Sequence, residues 1–190
     1  ESIPTISELL LKQNNVIILA HLGDSGESLQ PIAEKLSTTF TKLQFIKSTN
    51  LDSIKSQVEE FYSSGTVKGN LILLENVRLF EGEKENSDKL AGFYKSLADY
   101  YIFDAFSVAH RKQASTHRIA MHFDKSHIAI GPLCSKELEL LRPALSPSAP
   151  ALLLLGGAKI STKLPLISRY LKMGVKVFVG GAMAHNIMMA

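Results

Sequence analysis

The chain has 190 residues, of which 45% are hydrophobic and 21% charged, a composition typical of a folded globular protein and not of a disordered or fibrous one. Its net charge of +3 is too small for a general nucleic-acid binder, so we expect any positive site to be a local cluster. Cys134 is the single cysteine, which excludes a disulfide framework and indicates a reducing compartment. The sequence has neither an apolar run of about 20 residues nor a signal-peptide layout in its first residues, and we expect a cytoplasmic protein without a membrane partner.

Helix and strand patterns alternate along the first two thirds of the chain. Apolar residues at helical spacing predict helices at 4–12, 28–38, 51–62 and 89–97. Short apolar runs predict strands at 16–20, 43–46, 71–74, 100–103 and 127–130. Unpatterned runs such as 16–20 are typical of strands buried on both faces of a parallel sheet. The alternation predicts an α/β fold class, a three-layer αβα Rossmann-like parallel sheet domain over residues 1–134.

A second unit begins after residue 150. Residues 135–145 predict a helix that Pro143 kinks or ends, and we expect 135–150 to be a helix and a stiff linker. Beyond it the pattern predicts strands at 151–155 and 175–179, a helix at 161–172, and a further helix from Ala182. We expect 151–190 to be the first β-α-β unit of a second similar domain. This domain would be incomplete, because about 40 residues cannot bury both faces of their own sheet.

Basic side chains follow several predicted strands. Since carboxyl ends of parallel strands share one edge of a sheet, these side chains could converge there. The basic residues expected at this edge are His21, Arg78, His110 and Arg111, and Asp104 lies at the same edge. The run of cations from 110 to 118 is either a solvated loop or an anion site, and its position directly after a buried strand favours the anion site. An arginine there can hold phosphate or carboxylate with two hydrogen bonds.

Alternatives without a binding role stay open for three of these features. A lone histidine such as His21 is more often structural, and residues 75–78 could form a turn or a site. Asp104 could hold the adjacent loop by accepting hydrogen bonds from backbone amides. We expect the charged run 81–88 to be a solvated loop.

Glycines follow the predicted strand at 151–155. Gly156 and Gly157 would let an anion approach the backbone, and the next helix would offer its free amides. Lys159 and Lys163 are four residues apart, which places them together on the first turns of that helix. The spacing is not that of a GxxxxGK[ST] phosphate loop. The histidines and the cysteine lack metal-ligand spacing, so we expect no metal site.

Seven fragments, in order and spacing, resemble the phosphoglycerate kinase family: PTISELL, HLG, SLQPIAEKL, LLENVRLF, DAFSVAHRKQAST, GGAKISTK and GGAMA. The resemblance implies two Rossmann-like domains, of which the first binds 3-phosphoglycerate and the second binds ADP or ATP with magnesium. It implies phosphoryl transfer between 1,3-bisphosphoglycerate and ADP, giving 3-phosphoglycerate and ATP in glycolysis. It also implies a full-length monomer that acts on small molecules and not on nucleic acid.

The resemblance also implies roles for individual residues. The family's phosphoglycerate contacts fall on His21, Arg78, His110 and Arg111. Lys159 falls on the catalytic lysine that stabilises the moving phosphoryl group, and Lys163 on a nucleotide phosphate contact, with Gly156 and Gly157 shaping their loop. The magnesium contacts are expected outside this chain, and the 190 residues alone are not expected to be catalytically competent.

Three residues depart from the family pattern. Asp24-Ser25 stands where the family has Arg-Pro, and Ser107 stands where it has a glycine. An anion thus replaces a substrate-binding cation. This favours an alternative function, a non-catalytic anion-binding module or degenerate relative of the same family.

Overall fold

A computed structural model describes residues 2–23, 26–64, 69–148, 150–157 and 159–189. The chain divides into two compact units, Glu1–Glu137 and Leu138–Ala190. In the first unit the order is α1 (Ile3–Leu11), β1 (Val16–Ile18), α2 (Gln30–Ser37), β2 (Leu43–Ile46), α3 (Leu51–Ser64), β3 (Leu71–Leu74), α4 (Asp88–Ser96), β4 (Tyr101–Phe103) and β5 (Ile128–Ile130). The alternation predicted from the sequence is therefore confirmed.

Parallel pairing joins the strands of the first unit. β3 lies between β1 and β2, with Leu71 opposite both Val16 and Leu43. β4 and β5 form a separate parallel pair, with Tyr101 opposite Ile128. Within the described ranges the first unit therefore has two parallel sheets where the sequence predicts one. The α/β, Rossmann-like fold class is confirmed.

The central strand β3 shows why the unit has three layers. Its four residues are buried, and successive side chains point to opposite faces of the sheet. Ile72 and Leu74 pack in the core formed with α3 and α4, whereas Leu73 packs against Ala33 of α2 on the other face. The edge strand β1 is only half-buried, so the prediction that residues 16–20 are buried on both faces is wrong. Burial on both faces belongs to the centre of the sheet and not to every apolar strand.

Helix α5 (Pro132–Leu145) begins three residues before its predicted start. The Asp104 carboxylate accepts a hydrogen bond from the Cys134 amide at 2.9 Å and one from the Thr5 hydroxyl at 3.4 Å. Asp104 thus satisfies an amide of the first helical turn, which confirms the structural role considered for it. Pro143 lies inside α5 and does not end it, because the helix continues to Leu145.

The second unit contains β6 (Leu152–Leu155), α6 (Leu164–Lys172), β7 (Lys176–Val179) and α7 (Ala182–Met188). β6 and β7 pair in parallel, and alternate residues on each strand are exposed. Leu152, Leu154 and Phe178 are 61%, 67% and 61% exposed, so the predicted buried strand at 151–155 is covered on one face only. The expectation that this unit cannot bury both faces of its sheet is confirmed.

Candidate anion-binding sites

Neighbouring strands deliver the first two basic residues to one edge of the three-stranded sheet. β1 and β3 are parallel neighbours, with Ile18 opposite Leu73. The pairing extends beyond the strand ends, since the Val77 amide donates to the Ala20 carbonyl at 3.0 Å. His21 and Arg78 therefore leave adjacent strands at the same edge, where open α/β sheets bind their ligands.

A buried carboxylate holds the loop that follows His21. Glu75 is 2% exposed and accepts hydrogen bonds from the Leu29 amide at 2.7 Å, the Asn76 amide at 2.8 Å and the Ser28 hydroxyl at 2.7 Å. Burial raises the pKa of Glu75, but these three donors outweigh burial, so its pKa lies below the usual value. The ionised carboxylate is thus part of the native loop.

The buried Asn76 side chain fixes the same loop from its other side. Its amide group donates to the carbonyls of Leu22 at 2.8 Å and Glu27 at 2.7 Å, and its oxygen accepts from the Arg78 amide at 3.0 Å. Residues 75 and 76 therefore form a turn, which is one of the two alternatives that the sequence left open for 75–78. Arg78 follows this turn. Asp24 and Ser25, where the chain departs from the family pattern, lie outside the described residues.

Three of the four predicted contact residues, His21, Arg78 and Arg111, are linked by the effect of the two arginine charges on the histidine. Partial burial of its ring lowers the pKa of His21, and the charges of Arg78 and Arg111 lower it further. Both arginines are half-buried. Basic groups that repel one another across a short distance gain from a bound anion, because its charge offsets their repulsion. His110 is exposed.

The basic segment 110–118 is held in place by a residue that sequence reasoning missed. Glu83 is 1% exposed and accepts from the Ser115 hydroxyl at 2.6 Å and the Ser115 amide at 3.1 Å. The prediction that 81–88 is a solvated loop is therefore wrong at its centre. Glu83 is buried because residues 114–116, distant in sequence, pack over it. Nothing in the sequence distinguishes Glu83 from the other acids of this run.

Two further cations of the segment have structural partners. The His117 ring lies 3.2 Å from the Asn86 side-chain nitrogen, and the Arg118 guanidinium donates to the Asn86 carbonyl at 3.4 Å. Lys112 is exposed. Of the cations between 110 and 118, Arg111 is the one whose charge contributes to lowering the pKa of His21, after partial burial and Arg78.

In the second unit the two glycine turns meet at the carboxyl ends of β6 and β7. The Gly180 amide donates to the Leu155 carbonyl at 2.8 Å, and the Met183 amide of α7 donates to the Gly157 carbonyl at 3.2 Å. Gly157 has a φ of 129°, which favours glycine, and both Gly156 and Gly157 are exposed. This leaves an open backbone loop that an anion can approach; Ala158 lies outside the described residues.

Lys159 and Lys163 flank this loop and are both exposed. The prediction that they lie on the first turns of a helix is wrong, because α6 begins at Leu164. Residues 160–163 form a turn instead, in which the Lys163 amide donates to the Ile160 carbonyl at 2.8 Å. Pro165 suits the first turn of a helix, which explains the later start. Lys163 thus directly precedes the helix.

The described residues of the two sites offer no group of ligands for a metal ion. Within the described ranges, no three His, Cys, Asp or Glu side chains are grouped so that they could hold a metal. The side chains beside the glycine loop are lysines, which suit phosphate oxygens and not Mg²⁺. Across the same ranges no helix combines the length and apolarity that a membrane span needs.

Together these features define an α/β protein with basic residues and a glycine loop at the carboxyl ends of its strands. The family model for phosphoglycerate kinase matches residues 1–190. The phosphoglycerate kinases of Vibrio campbellii and Psychrobacter cryohalolentis are 35% and 38% identical over the whole chain, which covers 48% of each of them.

Solved structures give the same result. The chain matches phosphoglycerate kinase from Coxiella burnetii with a TM-score of 0.81 and 33% identity over 99% of its length, which covers 47% of that protein. For the enzyme from Pyrococcus horikoshii the TM-score is 0.76 and the identity 26%, over 97% of this chain and 47% of the other. The chain belongs to the phosphoglycerate kinase family, and it spans about half the length of the curated relatives it matches.

Proposed function

We propose that this chain serves the glycolytic transfer of a phosphoryl group between 1,3-bisphosphoglycerate and ADP, giving 3-phosphoglycerate and ATP. In this proposal the first unit binds the phosphoglycerate through His21, Arg78, His110 and Arg111. The setting would be the cytoplasm, with small molecules as the partners.

The position of His21 and Arg78, which follow the parallel neighbours β1 and β3 at one edge of the sheet, is the observation that supports the proposal. Partial burial lowers the pKa of His21, and the charges of Arg78 and Arg111 lower it further, which supports placing the three residues in one site. Phosphoglycerate carries both a phosphate and a carboxylate, and guanidinium groups bind either with paired hydrogen bonds. A site of this kind works by positioning and by positive charge, which is what phosphoryl transfer requires.

The second unit would contribute to the nucleotide side. We assign phosphate contacts to Lys163 and to the open loop of Gly156 and Gly157, and we assign stabilisation of the transferring phosphoryl group to Lys159. The exposure of both lysines beside the glycine turn supports this assignment. The magnesium ion that accompanies the nucleotide would need carboxylate ligands from elsewhere, and no step is assigned to it.

Binding of 3-phosphoglycerate by the chain, measured by titration calorimetry, tests the first assignment. We expect Arg111→Ala to weaken binding about ten- to a hundredfold, since a hydrogen-bonded charge contributes about 1.5–3 kcal/mol. Lys112→Ala is the matched control, because it removes one exposed positive charge from the adjacent residue. Equal losses in the two variants would show nonspecific attraction and refute the site.

The second candidate function, an anion-binding module without catalysis, is favoured by Asp24 in place of the family's arginine. A coupled ATP-depletion assay on the protein, together with whatever its reading frame encodes on either side, separates the two candidates. Turnover supports the kinase. Binding of 3-phosphoglycerate without turnover supports the module, and we then expect Asp24→Arg to strengthen binding.

A further inference from the structure

We propose that Glu83 and Ser115 are a positioning pair that holds Arg111 beside Arg78 and His21. The inference rests on the proposed function, because it concerns the same phosphoglycerate site. Neither residue is assigned to contact the substrate. Their role is to set the geometry of residues that do.

Ser115 is fastened through each of its polar groups. Its hydroxyl and its amide donate to the Glu83 carboxylate at 2.6 Å and 3.1 Å. Its carbonyl accepts from the Tyr101 hydroxyl of β4 at 2.9 Å. The neighbouring Ala114 amide donates to the Glu83 carbonyl at 2.9 Å. The basic segment is therefore tied at this point both to the sheet and to a buried acid.

The tie reaches Arg111 through one residue. The Thr116 hydroxyl, next to Ser115, donates to the Arg111 carbonyl at 2.9 Å, and the Arg111 amide donates to the Val108 carbonyl at 2.9 Å. The backbone of Arg111 is thus held from both sides. A shift at Ser115 would move Thr116 and break its hydrogen bond to the Arg111 carbonyl, which is one of the two bonds that fix this backbone.

Glu83 also acts on the second arginine of the site. The charge of Arg78 lowers the pKa of Glu83, although burial raises it more, so the two side chains lie within electrostatic reach. Arg78 acts on His21 in the same way. Arg78 therefore lies within electrostatic reach of both the buried acid and His21.

A purely structural role would not require a carboxylate here. Burying an ionised acid is unfavourable unless it is hydrogen-bonded and paired, and an apolar residue could fill the same space. Glu83 receives bonds from Ser115 and a favourable charge effect from Arg78. Glu83 therefore bonds to the segment that carries Arg111, and it interacts electrostatically with Arg78.

The pKa of His21, followed by NMR titration of the chain without ligand, tests the inference. Ser115→Ala removes a hydrogen bond that lowers the pKa of Glu83, and any resulting loss of negative charge would lower the His21 pKa further. A rise in the His21 pKa therefore reports movement of Arg111 or Arg78. We expect this pKa to rise by a measurable part of the rise that Arg111→Ala produces. Ser96→Ala, an exposed serine that bonds only within its own helix, is the matched control and should leave it in place.

Calorimetry with 3-phosphoglycerate supplies the second measurement. We expect Ser115→Ala and Glu83→Gln each to weaken binding about fivefold to tenfold, up to about 1.4 kcal/mol. For Glu83→Gln we expect no comparable fall in the free energy of unfolding at pH 7. Glu81→Gln removes an exposed charge from the same loop and should bind as the unsubstituted chain does.

The outcomes separate the two proposals. If the chain does not bind 3-phosphoglycerate but Ser115→Ala still raises the His21 pKa, the proposed function fails and the positioning pair stands. If the His21 pKa in Ser115→Ala equals that of the unsubstituted chain, the positioning pair is refuted, whatever the affinity. Should Glu83→Gln not fold, Ser115→Ala decides alone.

Discussion

Two buried acids, Glu75 and Glu83, are expected to give opposite pH dependences of stability. Both are nearly inaccessible to solvent and both accept hydrogen bonds from backbone and side-chain donors. Their pKa values nevertheless shift in opposite directions, that of Glu75 below and that of Glu83 above the usual value. Replacing each with glutamine in turn keeps the shape and removes the titration.

For Glu75 the folded state favours the carboxylate. A pKa that is lower in the folded than in the unfolded chain stabilises the fold above the unfolded pKa, and this stabilisation is lost as the pH falls through the folded pKa. Glutamine offers one acceptor where three donors converge, so Glu75→Gln loses at least one charge-assisted hydrogen bond. We expect it to destabilise the chain by about 3 kcal/mol at pH 7, with a smaller loss at pH 3.5.

For Glu83 the folded state favours the protonated acid, because burial outweighs the help of Ser115 and Arg78. Its contribution to stability is then fully present below the unfolded pKa and is lost as the pH rises through the folded pKa. Glu83→Gln avoids the buried charge but keeps one acceptor for Ser115. We expect a loss of about 1 kcal/mol at low pH that shrinks toward zero at pH 7.

Urea unfolding of the three chains between pH 3.5 and 7 measures both effects. The quantity to compare is the difference in free energy of unfolding between each variant and the unsubstituted chain, because all other titrating groups are shared. We expect the destabilisation by Glu75→Gln to increase with pH and that by Glu83→Gln to decrease. Slopes of the same sign would refute the assignment of hydrogen bonding as the dominant influence on one acid and burial on the other.

Three further predictions concern single contacts. Added salt should raise the His21 pKa toward its usual value by screening Arg111, and a pKa indifferent to salt would exclude nearby cations. Asp104→Ala should destabilise the chain to urea by about 1 kcal/mol through loss of its helix-capping bond, against no loss for the exposed Asp99→Ala. A β-carbon at Gly131 would overlap the Asp104 carboxyl group, so Gly131→Ala and Asp104→Ala should be less than additive by about 1 kcal/mol.

Local patterns predicted the strands and the residues that follow them. The apolar run at 71–74 predicted the strand β3, and the position of Asp104 at a strand end predicted an acceptor for backbone amides. Burial on both faces was predicted for residues 16–20 and is found instead in β3. The prediction that Lys159 and Lys163 lie on a helix is wrong, because α6 starts at Leu164. The apolar spacing of the helix continues into the preceding turn, and no residue pattern marks where the turn ends and the helix begins.

The sequence by itself determined the α/β class, the order of the strands along the chain and the identity of the family. These depend on apolar spacing and on short motifs, which are properties of neighbouring residues. Tertiary structure decided which acids are buried. Glu81, Glu83 and Glu85 look alike in the sequence, but only Glu83 of the three meets Ser115, 32 residues further on. It also brought Arg111 within electrostatic reach of His21, although the strands that precede these two residues lie in separate sheets, and local spacing carries no record of that.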